Sequence, residues 1–302
     1  MKITEPQIGD ITIDNKVGYI EPGALKELWF HTGTACNLAC PFCLEGSKPG
    51  DNRLQRITLD DARPFINEAL KLGVEKFSFT GGEPFIVKDF VNILSYAADR
   101  KPCLILTNGT EPLLKRLRQI AALTNSKHPI SFRISIDYTN EQQHDDGRGE
   151  GTYRQSLQAI RELRKLGFDV SVARQMNSDE ITADIEAKYR SIFEEHDIDG
   201  ETRLISFPDF GLPDTKADVP TITENCMTTF QTEATRKEFM CAFSKMVIKK
   251  DGAMRVYACT LVDDDARYDQ GGTLAESLQQ RVTLEHHRCY SCFKFGSSCS
   301  EG

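Results

Sequence analysis

Six short apolar runs rich in β-forming residues punctuate the first two thirds of the chain: LWFHTG (28–33), KFSFTGG (76–82), CLILTNG (103–109), FRISID (132–137), DVSVARQ (169–175) and RLISFP (203–208). Between them the apolar residues recur at helical spacing. Over 58–73, Leu59, Ala62, Phe65, Ile66, Ala69 and Leu70 share one face, Thr58 and Asp61 resemble a capping box, and Gly73 stands where a helix C-cap belongs. Phe90, Ile93, Leu94 and Ala97 repeat the stripe, as do Leu113, Leu117 and Ile120; Tyr153, Leu157, Ile160 and Leu163 (ending at Gly167); and Ile185, Tyr189, Ile192 and Phe193. Strand–helix alternation of this kind predicts an α/β fold with parallel strands and right-handed crossovers. The pattern alone fits an open doubly wound sheet or a curved partial barrel, and in both the ligands sit at the carboxyl ends of the strands. The unusual residues collect there: Gly33 and a cysteine loop after the first run, Gly81-Gly82-Glu83-Pro84 after the second, Asn108-Gly109 after the third and Asp137 after the fourth.

The rhythm occupies 26–210. Ahead of it, Ile11, Ile13, Val17 and Tyr19 alternate around Asp14-Asn15-Lys16 and predict a short hairpin within 1–25. After Pro208 it stops. The stretch 211–239, rich in Pro, Asp and Thr, reads as a linker or lid, and a small C-terminal region over 240–302 carries the hairpin KMVIKK-DG-AMRVYA with Asp251-Gly252 as its turn.

With 302 residues, 39% apolar and 27% charged, the chain can bury a core without disulfides. No apolar run approaches the roughly 20 residues a membrane span needs. The N-terminus has no secretory pattern, so a cytoplasmic location is expected. A formal charge of −8 with scattered Lys and Arg argues against general affinity for nucleic acid. Ten cysteines are many for a reducing compartment and point to metal or redox chemistry.

Their distribution carries the candidate chemistry. Cys36-x3-Cys40-x2-Cys43 places three thiols in one loop after a strand, close enough to hold adjacent corners of one metal site. Three protein ligands leave a position open for a reacting molecule; a zinc site completed by a distant fourth ligand fits the same spacing. ACNLACPFC resembles the signature loop of the radical S-adenosylmethionine superfamily, with Phe42 at the aromatic position. That resemblance implies a partial (β/α)6 TIM-like barrel and a [4Fe–4S] cluster on Cys36, Cys40 and Cys43. It also implies that S-adenosylmethionine chelates the open iron and is cleaved to a 5′-deoxyadenosyl radical. It further gives Gly81, Gly82, Glu83 and Pro84 as the segment holding the methionyl amine, and Asn108, Ser135 and Asp137 as polar contacts to ribose and methionine. Arg148, in His144-Asp145-Asp146-Gly147-Arg148-Gly149, stands as the partner of the methionine carboxylate, with Arg174 competing for it. A flavodoxin- or ferredoxin-type electron donor is implied as well.

Cys241 and Cys259 flank the predicted hairpin, whose turn returns both chain ends to one side, and Cys289-x2-Cys292 can supply two further thiolates. Four thiolates would fill a [4Fe–4S] cluster completely, which suits electron transfer; a zinc knuckle is the alternative, and Cys299 could replace one ligand. The layout is similar to the auxiliary-cluster region of the same superfamily in its shortened, twitch-like form, since the fuller SPASM form needs more cysteines than stand here. Cys226 and Cys299 remain as plain thiols or hydrogen-atom donors, and Asp209 as a candidate proton acceptor. Cys103 and His31 read as structural. Peptide-modifying relatives often carry a leader-binding domain that 1–25 could not supply, so the resemblance implies radical oxidation, epimerisation or skeletal rearrangement of a small polar molecule. A peptide-modifying maturase and a non-catalytic zinc module are the alternatives.

Overall fold

The structure is a computed structural model that describes residues 16–176, 182–198 and 202–296. Its strands are β1 (Tyr19–Ile20), β2 (Glu27–His31), β3 (Lys76–Thr80), β4 (Cys103–Thr107), β5 (Ile130–Ser135), β6 (Asp169–Gln175), β7 (Leu204–Phe207), β8 (Ser244–Lys250), β9 (Ala253–Tyr257) and β10 (Val282–Thr283). The crossovers contain α1 (Leu59–Lys71), α2 (Phe90–Ala98), α3 (Glu111–Leu114), α4 (Leu117–Ala122), α5 (Glu141–Arg148), α6 (Thr152–Lys165) and α7 (Thr182–Glu195). All six predicted runs are strands, β2 to β7. The capping box of α1 forms as read, Thr58 Oγ1 accepting from Asp61 N–H while the Asp61 carboxylate accepts from Thr58 N–H.

The main sheet has the order β7-β6-β5-β4-β3-β2-β8-β9, parallel throughout except for β8 and β9. From β2 to β7 each strand lies beside its predecessor with no reversal. Right-handed crossovers of one sense stack every helix on one face, whereas a doubly wound sheet reverses direction and covers both. This is the winding of a partial barrel. Side chains sort accordingly. Phe30, Phe79, Ile105, Phe132, Ile134 and Val172 face the helices and pack on Ala62, Ile66, Leu94, Leu157 and Ile160. Trp29, Leu104, Met246 and Ile248 join a second core on the other face.

The predicted C-terminal hairpin is β8 and β9, but it does not stand apart. β8 pairs in parallel with β2, from Glu27↔Ser244 to Phe30↔Val247. The reason is burial: every residue of β2 is buried, and without β8 its edge would present unpaired backbone groups inside the protein. At the other end, Tyr19–Ile20 pairs antiparallel with Val282–Thr283, and Val17 bridges Thr223. The described part of the N-terminal extension is thus tied to the C-terminal region; Ile11 and Ile13 lie outside the described residues. The stretch read as a linker holds two short helices, Glu224–Phe230 and Glu233–Arg236. No helix among the described residues is long and apolar enough to cross a membrane.

Candidate active site

The cysteine loop leaves β2 and folds back on itself. Ala35 bridges Lys48, Cys36 N–H donates to Lys48 O at 3.3 Å, and Cys43 N–H donates to Cys40 O at 3.1 Å. Arg53 clamps the far side through Asp51 Oδ2 at 2.8 Å and Glu45 O. The thiols of Cys36, Cys40 and Cys43 line one wall of a cavity of about 250 Å³ at the carboxyl ends of the strands. Burial raises all three thiol pKa values, that of Cys36 to about 12. Each therefore keeps its proton until a cation arrives, and metal loading must release protons.

The glycine turn is stitched to this loop. Gly82 N–H donates to Gly33 O at 2.9 Å and Glu83 N–H to Ala35 O at 3.1 Å. Gly81 holds φ +134°, and a Cβ on Gly82 would lie 2.2 Å from Ala35 O. The close approach expected of these glycines is first of all an approach to the cysteine loop. Gly81 and Gly82 line the cavity, but Glu83 and Pro84 do not. Glu83 braces two loops instead, its carboxylate accepting from Phe85 N–H, Thr107 Oγ1 and Asn108 N–H, each at 2.9 Å. Burial pushes its pKa up to about 7 against those hydrogen bonds.

Asn108, Ser135, Asp137, Arg148, Phe42 and Arg174 also line the cavity. Asn108 Nδ2 donates to Asn37 Oδ1 at 3.0 Å and reaches Cys36 Sγ at 3.8 Å. Arg148 Nε donates to Asp137 Oδ2 at 2.5 Å, while its guanidinium carbon lies 5.6 Å from the Phe42 ring centroid. Gly147 lets α5 sit this close, since a Cβ there would meet Phe42 at 2.8 Å. Arg174 is engaged elsewhere, Nε donating to Ser206 Oγ at 3.1 Å beside the Tyr189 ring.

The same helix holds an acid-labile group. His144 is fully buried, and burial followed by the Arg148 charge lowers its pKa to about 4, against the carboxylates of Asp137 and Asp145. The unfolded chain protonates this imidazole near 6.5, so between those values the unfolded state binds the extra proton. Stability fully present above pH 6.5 should fall as pH drops toward 4, by about 3 kcal/mol at one pKa unit per 1.4 kcal/mol. Urea unfolding of the wild type and His144→Gln across that window checks this. A wild-type loss no steeper than the variant's removes His144 as the cause.

The opposite wall of the cavity comes from Phe207, Pro208, Asp209, Phe210 and Gly211 and from Thr260 and Leu261. Cys259, one residue earlier, lies with Cys241, Cys289 and Cys292 around a second, apolar pocket. The four are mutually close: burial and then the charges of Cys241, Cys289 and Cys292 raise the Cys259 thiol well above its usual range. Asp209 is at the exposed rim of the main cavity, accepting from Gly211 N–H at 2.8 Å. Cys226 lines neither pocket; it sits in the first turn of the helix Glu224–Phe230, its thiol against Thr223 Oγ1 at 3.2 Å. Cys299 lies outside the described residues.

Sequence reasoning missed two features. His31 is not alone: its Nε2 is 3.1 Å from Glu45 Oε2, with Asp263 beside them. This donor set would suit a divalent ion. Gly33 N–H, however, donates to His31 Nδ1 at 3.1 Å, which puts the imidazole proton on Nε2, facing Glu45. Burial would lower the His31 pKa, but the Glu45 carboxylate outweighs it. Asp263 is raised to about 8 by burial and the Glu45 charge, so it is protonated at neutral pH. The cluster closes with protons. The second feature is Arg288, 2% exposed, which donates to Phe210 O at 3.0 Å, Leu261 O at 3.1 Å and Gly211 O at 3.3 Å, with Asp264 Oδ2 at 3.4 Å. His31 at a strand end was the one signal for the first; nothing local marks Arg288.

Comparison with known proteins agrees with this arrangement. Residues 30–184 match the Radical SAM superfamily. The mycofactocin maturase MftC of Mycolicibacterium smegmatis is 30% identical over 135 residues, 44% of this chain and 33% of that protein. The AdoMet-dependent heme synthase of Methanosarcina barkeri is 31% identical over 159 residues, 50% of this chain and 43% of that one. The matched segment is thus less than half the length of these relatives. Streptococcus suis SuiB, solved with S-adenosylmethionine, shares the fold at a TM-score of 0.58 and 15% identity, over 82% of this chain and 63% of its own. SuiB bound to its precursor peptide SuiA gives 0.61 at 14%, over 85% and 65%. With the family matched over half its length and three spaced thiols beside a glycine turn at one barrel mouth, this chain belongs to the radical SAM superfamily of enzymes, which work with a [4Fe–4S] cluster and S-adenosylmethionine.

Proposed function

We propose that this enzyme holds a [4Fe–4S] cluster on Cys36, Cys40 and Cys43 and a second, auxiliary one on Cys241, Cys259, Cys289 and Cys292, and takes hydrogen from a small polar substrate bound between them. The observation that carries this reading is the adjacency of two pockets. The main cavity is lined by the three loop thiols and the Gly81-Gly82 turn and also by Thr260 and Leu261, and Leu261 lines the pocket around the second cysteine set as well. When bound, the first cluster and S-adenosylmethionine supply the electron and the 5′-deoxyadenosyl radical. The chain's own residues bind and orient. The Gly81-Gly82 backbone accepts the methionyl amine. Arg148 has its Nε committed to Asp137, which leaves the terminal N–H groups of the guanidinium to fork onto the methionine carboxylate. Arg174, engaged by Ser206, is the lesser claimant. Asn108 and Ser135 border the same space for the ribose. The substrate would lie toward Trp29, Leu106, Phe210 and Leu261, an apolar roof that shields a radical from solvent.

A cavity of about 250 Å³ favours a small molecule. A peptide is the second reading, favoured by the likeness to MftC, a maturase, and by SuiB bound to a precursor peptide. The test is anaerobic isolation followed by iron analysis and reduction with dithionite or a flavodoxin-type donor. We expect about eight irons per chain, as two four-iron clusters require, and release of 5′-deoxyadenosine from S-adenosylmethionine. A zinc-loaded protein that forms none would overturn the reading, and four irons with normal cleavage would remove the auxiliary cluster alone.

A further inference from the structure

Trp29 is the only tryptophan of the chain and stands at the centre of β2, 1% exposed, on the face of the sheet away from the helices. An indole buried to this degree ordinarily gives its N–H a partner. Here Nε1 has no hydrogen-bond partner among the described residues. Thr260 repeats the pattern: it is 7% exposed in the turn after Cys259, and its Oγ1 is unpartnered as well. Trp29 and Thr260 belong to distant parts of the chain, yet both line the main cavity. Most other buried polar side chains of that lining are engaged, Thr107 by Glu83, Asn108 by Asn37, Asp137 by Arg148 and Arg174 by Ser206. Ser47 Oγ also lacks a partner, but it belongs to the cysteine loop, where its backbone N–H favours the Cys43 thiolate. The unmet hydrogen bonds of the buried lining outside that loop are thus those of Trp29 and Thr260.

We infer that Trp29 Nε1–H and Thr260 Oγ1 are the hydrogen-bonding points of the substrate pocket, and that they select a substrate carrying an uncharged oxygen, a hydroxyl or a carbonyl. This rests on the reading of the cavity given above, in which the substrate lies toward Trp29 and Leu261. A mostly apolar pocket with a few placed polar groups is how proteins fix the orientation of a small ligand. The indole N–H only donates, so the substrate atom that meets it is an acceptor, whereas the threonine hydroxyl can give or take. An ammonium offers no acceptor. A carboxylate offers one but would lose its hydration among Leu106, Phe210 and Leu261, with the Glu45 carboxylate in the same lining. A neutral oxygen answers both groups without burying a charge. Their part is selection and orientation of the substrate.

The test uses the iron-loaded full chain with S-adenosylmethionine and reads the ultraviolet resonance Raman band of indole that responds to hydrogen bonding at Nε1. With a single tryptophan the band has a single source. The probes are ethylene glycol for the hydroxyl and N-methylacetamide for the carbonyl, with acetate and ethylammonium as charged controls. At least one neutral probe should move the band to its hydrogen-bonded position with saturation, and neither control should. Thr260→Val keeps the shape of the side chain and removes the hydroxyl, so it should raise the apparent Kd of the responding probe at least about threefold, the worth of one hydrogen bond. Thr260→Ser, which keeps the hydroxyl, should restore the wild-type value. A band that already reports a bonded N–H before any probe is added, or that no neutral probe moves, overturns the inference. So does a Thr260→Val protein that binds the probe as tightly as wild type. Release of 5′-deoxyadenosine by the same preparation keeps the two readings apart: release without an indole response overturns this inference alone, and no release overturns the enzyme reading on which it rests.

Discussion

Replacing Gly82 with Ala is expected to empty the cysteine loop of iron and to cut 5′-deoxyadenosine formation at least about 100-fold, although Gly82 is no ligand. The new Cβ would stand 2.2 Å from Ala35 O, 2.6 Å from Ala35 C and 2.7 Å from Thr34 O. All three are backbone atoms, so no side-chain rotation relieves the clash. The turn must move away, and the hydrogen bonds from Gly82 N–H to Gly33 O and from Glu83 N–H to Ala35 O go with it. Ala35 directly precedes Cys36, so the displacement passes straight into the first thiol. Iron content and 5′-deoxyadenosine release measure the effect. Gly272→Ala is the control, because nothing lies within 4 Å of a Cβ there; it should keep its iron. A Gly82→Ala protein that loads and cleaves like wild type would show that the loop tolerates the displacement.

Arg288→Met should destabilise the iron-free protein by on the order of 3–5 kcal/mol, the range for breaking one side of a buried ionic network. One guanidinium here joins the 207–211 segment at Phe210 and Gly211 to the turn after Cys259 at Leu261. Its removal takes the donor from the half-buried carbonyls of Phe210 and Gly211 and the buried one of Leu261, and leaves Asp264 with His286 and the Asp214 N–H. Asp264 is now held well ionised, its pKa lowered to about 2 by the His286 hydrogen bond and the Arg288 charge against its own burial. Urea unfolding gives the energy directly. Arg288→Lys should recover only part of it, since a single ammonium keeps the charge but cannot span separate carbonyls. A loss under about 1 kcal/mol in Arg288→Met would mean that the roof of the cavity holds without this clamp.

The two predictions differ in how far they could be read from the chain itself. Gly82 was visible as a special position, because two glycines after an apolar run demand a tight backbone. Its contact was not: the carbonyl it must clear belongs to a loop 47 residues earlier, while Arg288 and Leu44 come together across 244 residues. Glu83 makes the same point in reverse. In sequence it continues the glycine motif, and in space its carboxylate turns inward to Thr107 and Asn108.

What the sequence by itself determined is the six-strand rhythm, the helix faces and the three-thiol loop. Each is encoded within one short stretch, by a period of two or 3.6 residues or by ligands a few positions apart. The tertiary structure alone decided that the winding is that of a barrel, that the C-terminal hairpin completes its sheet beside β2, and that the second cysteine set gathers around a pocket sharing Leu261 with the first cavity. These outcomes depend on which distant segments share burial, and burial belongs to the folded chain as a whole, not to any local pattern of residues.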